Sequence, residues 1–256
     1  MRSTQRSDGT SVVVNLKGSV RAELTAVWKL MCTKKVALLL PMIWQTTFAE
    51  ALIGTYAATY MTVRSRALGS FLSALAAMLA NYCLGFVLDW RKFSINARGK
   101  LTFVVLYALQ GGWWIFSIVL MNILQRDPPQ AAFDWSNQST FPSHFALYIM
   151  LQVSFNNLYE LSYWIISTIN DDGAETVRLA SIVRGVESAG QALSYGINST
   201  SWRLDAVAGL NFGFYGLCLL PAWLVVRNNG RRHQVVYSLG QNGRSRRGAS
   251  ATQRQQ

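Results

Sequence analysis

Charge is scarce in this sequence. Of 256 residues, 14% are Asp, Glu, Lys or Arg, well under the roughly 25% usual for soluble domains. Histidine is scarcer still, with two copies, His144 and His233. The three cysteines, Cys32, Cys83 and Cys218, show neither disulfide nor metal-ligand spacing, so they support no redox or zinc reading. GxSxG, a Walker loop and a paired Cys/His pattern are all missing. The chain therefore reads as a non-enzyme, and no metal or cofactor is expected. The stretch MRSTQRSDGTSVVVNLKG has no apolar core followed by a small-residue cleavage site, so no cleaved secretory signal is predicted.

Apolar residues are abundant at 51%, and they are gathered in runs. A net charge of +12 raises the question of nucleic acid. Basic residues beside hydrophobic runs also fix membrane orientation, and that reading takes precedence here. The expected partner is the lipid bilayer, with no nucleic acid. The stretch GFVLDWRKFSINARGK shows why. It places Asp89 and four basic residues, Arg91, Lys92, Arg98 and Lys100, between two runs that carry no charge. The runs read as membrane spans and the charged stretch as the turn between them.

A helix crossing a hydrocarbon core of roughly 30 Å needs about 20 mostly apolar residues. Six stretches qualify, at 36–60, 67–88, 101–124, 144–168, 177–200 and 206–226. The expected fold is all-α, a bundle of six transmembrane helices. An even number puts both tails on one side. The N-tail (1–35), the loop after the second span and the C-tail (227–256) then hold 18 of the 24 Lys and Arg on a single face, which is predicted to be cytoplasmic. The longest opposite-face loop, 125–143, carries the glycosylation pattern Asn137-Gln138-Ser139. A second pattern at Asn198 lies too near the bilayer for modification. Within the N-tail, SVRAELTAVWKLM predicts an amphipathic helix over about 19–31 with Val20, Leu24, Val27, Trp28 and Met31 on one face. It either lies on the cytoplasmic membrane surface or packs on the loops. The C-tail is expected to be disordered and to contact anionic lipid.

Ionisable groups inside a bilayer cost about 2.5–3.5 kcal/mol each on the lenient insertion scale, so their positions inform. In the fifth span Arg184, Glu187, Gln191, Ser194 and Asn198 draw a polar stripe. Ser181, Gly185, Ser188, Ala192 and Gly196 draw a small-residue stripe expected to permit close helix contact. The fourth span repeats the polar logic with Gln152, Asn156, Tyr159, Glu160 and Tyr163, and the first places Thr46, Glu50 and Gly54 on one face. Glu50, Gln152, Asn156, Glu160, Arg184, Glu187 and Gln191 are the candidates for a cavity or for ion coupling. Against this stands the plainer reading of a structural Arg184–Glu187 pair with inert, protonated Glu50 and Glu160. Gly111-Gly112 and Trp113-Trp114 suit a bend or packing better than ligand stacking.

Gly85 to Asp89 followed by basic residues resembles the G-x-x-x-D-[RK]-x-G-[RK]-[RK] loop of the major facilitator superfamily, with RKFSIN standing between Asp89 and Arg98-Gly99-Lys100. KLMCTKKVALLLPMIW, YMTVRSRALGSFL and RGVESAGQALSYGINSTSWRLD are similar to the second half of fungal Unc-ninety-three-like membrane proteins, over about 19–226. The resemblance implies a solute-carrier fold of which this chain is the C-terminal six-helix half. It makes Gly85, Asp89, Arg91, Lys92 and Arg98 a cytoplasmic gate, with Asp89 seeking an Arg or a neighbouring helix N-terminus. It leaves two activities open: alternating-access transport of a small solute, or regulation or chaperoning of another membrane protein. The other half would come from a missing N-terminal segment, a homodimer or another membrane protein.

Overall fold

The computed structural model describes residues 19–90, 92–136, 139–169 and 173–228. Arg91, Asn137, the first 18 residues and the tail from 229 onward lie outside the described residues. Among those described, the chain is helical throughout: α1 (Val20–Met31), α2 (Lys34–Tyr60), α3 (Val63–Asp89), α4 (Ile95–Arg126), α5 (Phe141–Ser167), α6 (Gly173–Asn198) and α7 (Leu204–Asn228). Helices α2 to α7 occupy the six long apolar stretches, extended by a few residues at most ends. α2, α3, α4 and α7 are long and apolar enough to cross a membrane. α5 and α6 have similar lengths of 27 and 26 residues but carry more polar side chains, Glu160 and Arg184 among them.

Helix starts follow local chemistry. The Thr62 hydroxyl accepts from the Ser65 amide at the head of α3, and the Ser94 hydroxyl accepts from the Ala97 amide at the head of α4. Each satisfies one of the amides that a helix N-terminus leaves without an internal partner. The Gly111-Gly112 pair does not break α4, which is continuous through it. Gly111 instead makes room for Tyr215, whose hydroxyl would lie 2.9 Å from a Cβ at that position.

α2 is the hub. It packs on α5, α6 and α7, while α3 packs on α5, and α4 on α5 and α7. Met42, Leu52 and Tyr56 of α2 are wholly buried. The outward faces of α3 and α4 are the reverse, with Phe71, Met78 and Tyr82 on α3 and Leu101, Leu109 and Ile123 on α4 all exposed. Rows of this kind on such helices suit hydrocarbon, since an apolar surface this extended would drive association in water.

The loop segment 127–136 is tied down. Phe133 donates its amide to Tyr60 O at 2.7 Å and accepts from the Thr62 amide at 3.1 Å. Its ring stacks on buried His144, centroids 3.9 Å apart, and His144 Nδ1 shares a 2.7 Å hydrogen bond with the Tyr56 hydroxyl. Next to it, the buried Asp134 carboxylate accepts from Arg64, Thr62, Ser65 and Ser136. The Arg64 hydrogen bond does most to hold Asp134 well below the usual carboxylate pKa range, with smaller contributions from the three hydroxyls.

The small-residue stripe of α6 departs from expectation. Ser181, Gly185, Ser188, Ala192 and Gly196 are all exposed. The face against α2 is formed by Leu179, Val183, Glu187, Gly190 and Ser194, all buried. Its closest approach is at Gly190, where a Cβ would sit 3.1 Å from both Thr47 Oγ1 and the Trp44 carbonyl oxygen. Ser194 donates to Phe48 O, and Thr47 donates to Glu187 O at 3.3 Å. The polar stripe is therefore partly the packed one, because its hydroxyls and carbonyls bond across to α2.

Candidate functional site

Near the middle of α6, Glu187 is 4% exposed although it is a carboxylate. Burial of this group without partners would be costly, and three donors surround it. Arg184 Nη1 lies 3.2 Å from Oε2, Tyr159 OH 3.4 Å from Oε2 and Tyr163 OH 3.3 Å from Oε1. The two tyrosine hydroxyls are 3.2 Å apart. The Arg184 guanidinium stands over both rings, 5.7 Å from each centroid. Its side chain remains 69% exposed. The arrangement orients an arginine by a carboxylate beside it and two aromatic faces beneath it, while leaving its outer edge open.

One turn further along α6, Gln191 Nε2 donates to Glu50 Oε2 at 2.5 Å. Glu50, Glu187 and Gln191 thus share the α2–α6 seam, and Arg184 and the two tyrosines close it on the α5 side. Gln152 and Asn156 lie higher on α5, with Asn156 Nδ2 donating to Gln152 O at 2.8 Å, which keeps that amide on its own helix. The sequence places Tyr159 and Tyr163 on the polar stripe of α5 but carries no signal that their hydroxyls join α5 to Glu187.

Two of the predicted gate residues, Gly85 and Asp89, line a second feature. A groove of about 400 Å³ between α3 and α5 is lined by Asn81, Gly85, Asp89, Glu160, Tyr163 and neighbouring apolar groups. Gly85 and Asp89 thus share one surface with Glu160, and Tyr163 belongs to both the groove and the Glu187 cluster. Asp89 forms no ion pair among the described residues. Arg98, which the resemblance groups with it in the gate, donates to the Leu88 carbonyl at the end of α3, where a cation suits the negative pole of the helix. Lys92 is exposed in the α3–α4 turn. No cluster of three or more potential metal ligands occurs among the described residues.

No protein-family model and no solved structure matches the chain. Curated relatives do. The chain is 42% identical over 227 residues to Notoamide biosynthesis cluster protein O' of Aspergillus versicolor, covering 88% of this chain and 49% of that protein. It is 23% identical over 232 residues to UNC93-like protein 1 of Arabidopsis thaliana, covering 88% and 50%. An uncharacterized membrane protein of Schizosaccharomyces pombe is 24% identical over 211 residues, covering 76% and 40%. The chain spans about half the length of the curated relatives it matches. The UNC93-like relatives support that branch, and together with the apolar helices they point to an integral membrane protein.

Proposed function

We propose that the chain is one six-span half of a transporter-like membrane protein of the major facilitator type, with both termini cytoplasmic. In this reading it moves a small solute by alternating access. The observation that carries it is Arg184. An exposed guanidinium in the middle of a helix that lies within a bundle of spans cannot face lipid cheaply. It belongs against a water-filled cavity between two halves. Arg184, Glu187, Tyr159 and Tyr163 line that cavity, and Glu50 with Gln191 forms a second polar pair in the same seam. The groove of Gly85, Asp89 and Glu160 is the cytoplasmic gate. Similarity to a protein named for a notoamide biosynthesis cluster makes notoamide itself a rational first solute to test.

The test is uptake into proteoliposomes holding the chain with a complementing half. Flux driven by a pH gradient and abolished by Glu50→Gln or Glu160→Gln supports coupling through those carboxyls. Flux unchanged by both substitutions removes the coupling role. The second reading is a non-transporting regulator or chaperone. It draws on the exposed row of Phe71, Met78 and Tyr82 on α3, which a partner's helix would cover. That reading expects stable co-purification with a membrane partner and no flux under any gradient.

A further inference from the structure

α1 is amphipathic, yet it is turned the opposite way from a surface helix of a soluble protein. No residue of its 12 is buried. Its most apolar stripe, Val20, Leu24 and Trp28, is 76%, 65% and 63% exposed. Its acidic residue turns toward α6: Arg178 of α6 donates from Nε and Nη2 to both oxygens of the half-exposed Glu23 carboxylate, each at 2.9 Å. Leu30 alone of its side chains packs against the core cluster. At about 100° per residue, Val20, Leu24 and Trp28 occupy an arc of about 80°, with Arg21 about 20° beyond Trp28 and Glu23 about 60° short of Val20. The apolar stripe thus separates a protein-facing edge from a basic edge that continues to Lys29.

We infer that α1 is a membrane-surface anchor: Val20, Leu24 and Trp28 sit in the headgroup layer of an anionic leaflet, and Glu23 clips the helix to α6 through Arg178. The inference rests on the membrane reading and on cytoplasmic termini. The level of the helix follows from connectivity. Only Cys32 and Thr33 separate α1 from α2, a helix long and apolar enough to span, so the stripe lies within reach of the bilayer surface. Arg21 and Lys29 on the adjoining face, and exposed Lys34 at the head of α2, forbid the hydrocarbon and match an anionic surface. An exposed Trp beside cations is the composition of the interface. The consequence reaches the site, because Arg178 and Arg184 lie less than two turns apart on α6. Lipid binding by α1 holds the helix that carries Arg184, Glu187 and Gln191.

The test uses the full chain in nanodiscs, with Cys32 and Cys83 replaced by Ser and buried Cys218 left in place. A fluorophore on Leu24→Cys is compared with one on Thr25→Cys, using lipids that carry a spin label near the headgroup. In discs containing about one third phosphatidylserine, position 24 should be quenched about threefold more than position 25, with a smaller ratio in purely zwitterionic discs. A parallel sample keeps native Cys83, on the exposed side of α3, as a reporter quenched by a deep spin label. Quenching at Cys83 without quenching at position 24 overturns the anchor and leaves the membrane reading intact. No quenching at Cys83 overturns the membrane reading itself. Equal ratios in both lipid mixtures overturn the anionic preference. Shielding of position 24 from both lipid and water-soluble quenchers means that protein covers the stripe, and it too overturns the anchor.

Discussion

Gly190→Ala tests whether the α2–α6 seam is as close as its geometry requires. The added Cβ would sit 3.1 Å from Thr47 Oγ1 and 3.1 Å from the Trp44 carbonyl oxygen. Neither neighbour yields easily. The Thr47 hydroxyl is engaged with Trp44 O at 3.2 Å and Glu187 O at 3.3 Å, and the Trp44 carbonyl belongs to the backbone of α2. Alanine recovers about 1 kcal/mol of helix propensity over glycine. Overpacking of a tight interface typically costs about 1–3 kcal/mol. The balance is a loss of up to about 2 kcal/mol. Gly185→Ala, on the open face of the same helix, meets nothing within 4 Å, so it keeps the propensity gain of about 1 kcal/mol. Thermal unfolding of both variants and the parent chain in one detergent, read by tryptophan fluorescence, should rank Gly185→Ala at or above the parent and Gly190→Ala below it. If both variants stand together, the seam is looser than described, and the register that pairs Gln191 with Glu50 loses its support.

In native membranes, a polar maleimide should label Cys32 and spare Cys83 and Cys218: Cys83 lies on the exposed side of α3, which the membrane reading sets in lipid, and the Cys218 thiol is buried and donates to Pro41 O at 3.0 Å. Labelling of Cys83 as fast as Cys32 would contradict a lipid-facing α3. Asp134→Ala should release the loop 127–140 and raise its cleavage by added protease at neutral pH. Because the folded-state pKa of Asp134 is depressed, its contribution to stability is complete above the ordinary carboxylate pKa of about 3.9 and is lost as pH falls further. Below about pH 4 the parent should approach the variant in protease sensitivity, and a constant gap across that range would refute the assignment. Gln45 is wholly buried, and neither of its amide atoms finds a hydrogen-bond partner among the described residues. Gln45→Met should therefore stabilise the chain by about 1–3 kcal/mol in the same unfolding assay. Destabilisation would mean that the amide has partners.

The helices were legible because an uncharged run of bilayer length has few alternatives to a span, and the amphipathic pattern of 19–31 has few alternatives to a helix. The partners of each face were less so. Periodicity shows that Arg184, Glu187, Gln191 and Ser194 share a side of α6, but it cannot say what covers that side. Small residues suggested that the Gly185 stripe would be the contact. α2 selects the face of Gly190 instead, since its backbone carbonyl at Phe48 accepts from Ser194 and its Thr47 hydroxyl reaches Glu187 O. The Asp134 clasp was invisible for a different reason. Arg64 and Asp134 lie 70 residues apart, and nothing local to either announces the other. The resemblance groups Arg98 with Asp89 in a gate, and nothing local in the loop announces that its guanidinium meets the Leu88 carbonyl at the end of α3.

Under the transport reading, the same contacts mark the joint that would open. α6 packs broadly on α2 and only marginally on α5 and α7. Its link to α5 is not apolar interdigitation but the hydrogen bonds from Tyr159 and Tyr163 to Glu187 and the stacking of Arg184 on the two rings. Apolar contacts, each too weak to matter alone, resist sliding through their number. Two hydrogen bonds at 3.3 and 3.4 Å can be exchanged one for one with water or with a polar solute. Tyr163 also lines the α3–α5 groove with Asp89 and Glu160, so a change in its hydrogen bond to Glu187 alters a wall of that groove directly. On the transport reading proposed above, an arginine, a carboxylate and two phenols placed where two helices barely touch are the joint at which binding energy would be spent on movement. In that reading the α2–α6 seam, tight at Gly190 and bonded through backbone carbonyls, travels as one piece.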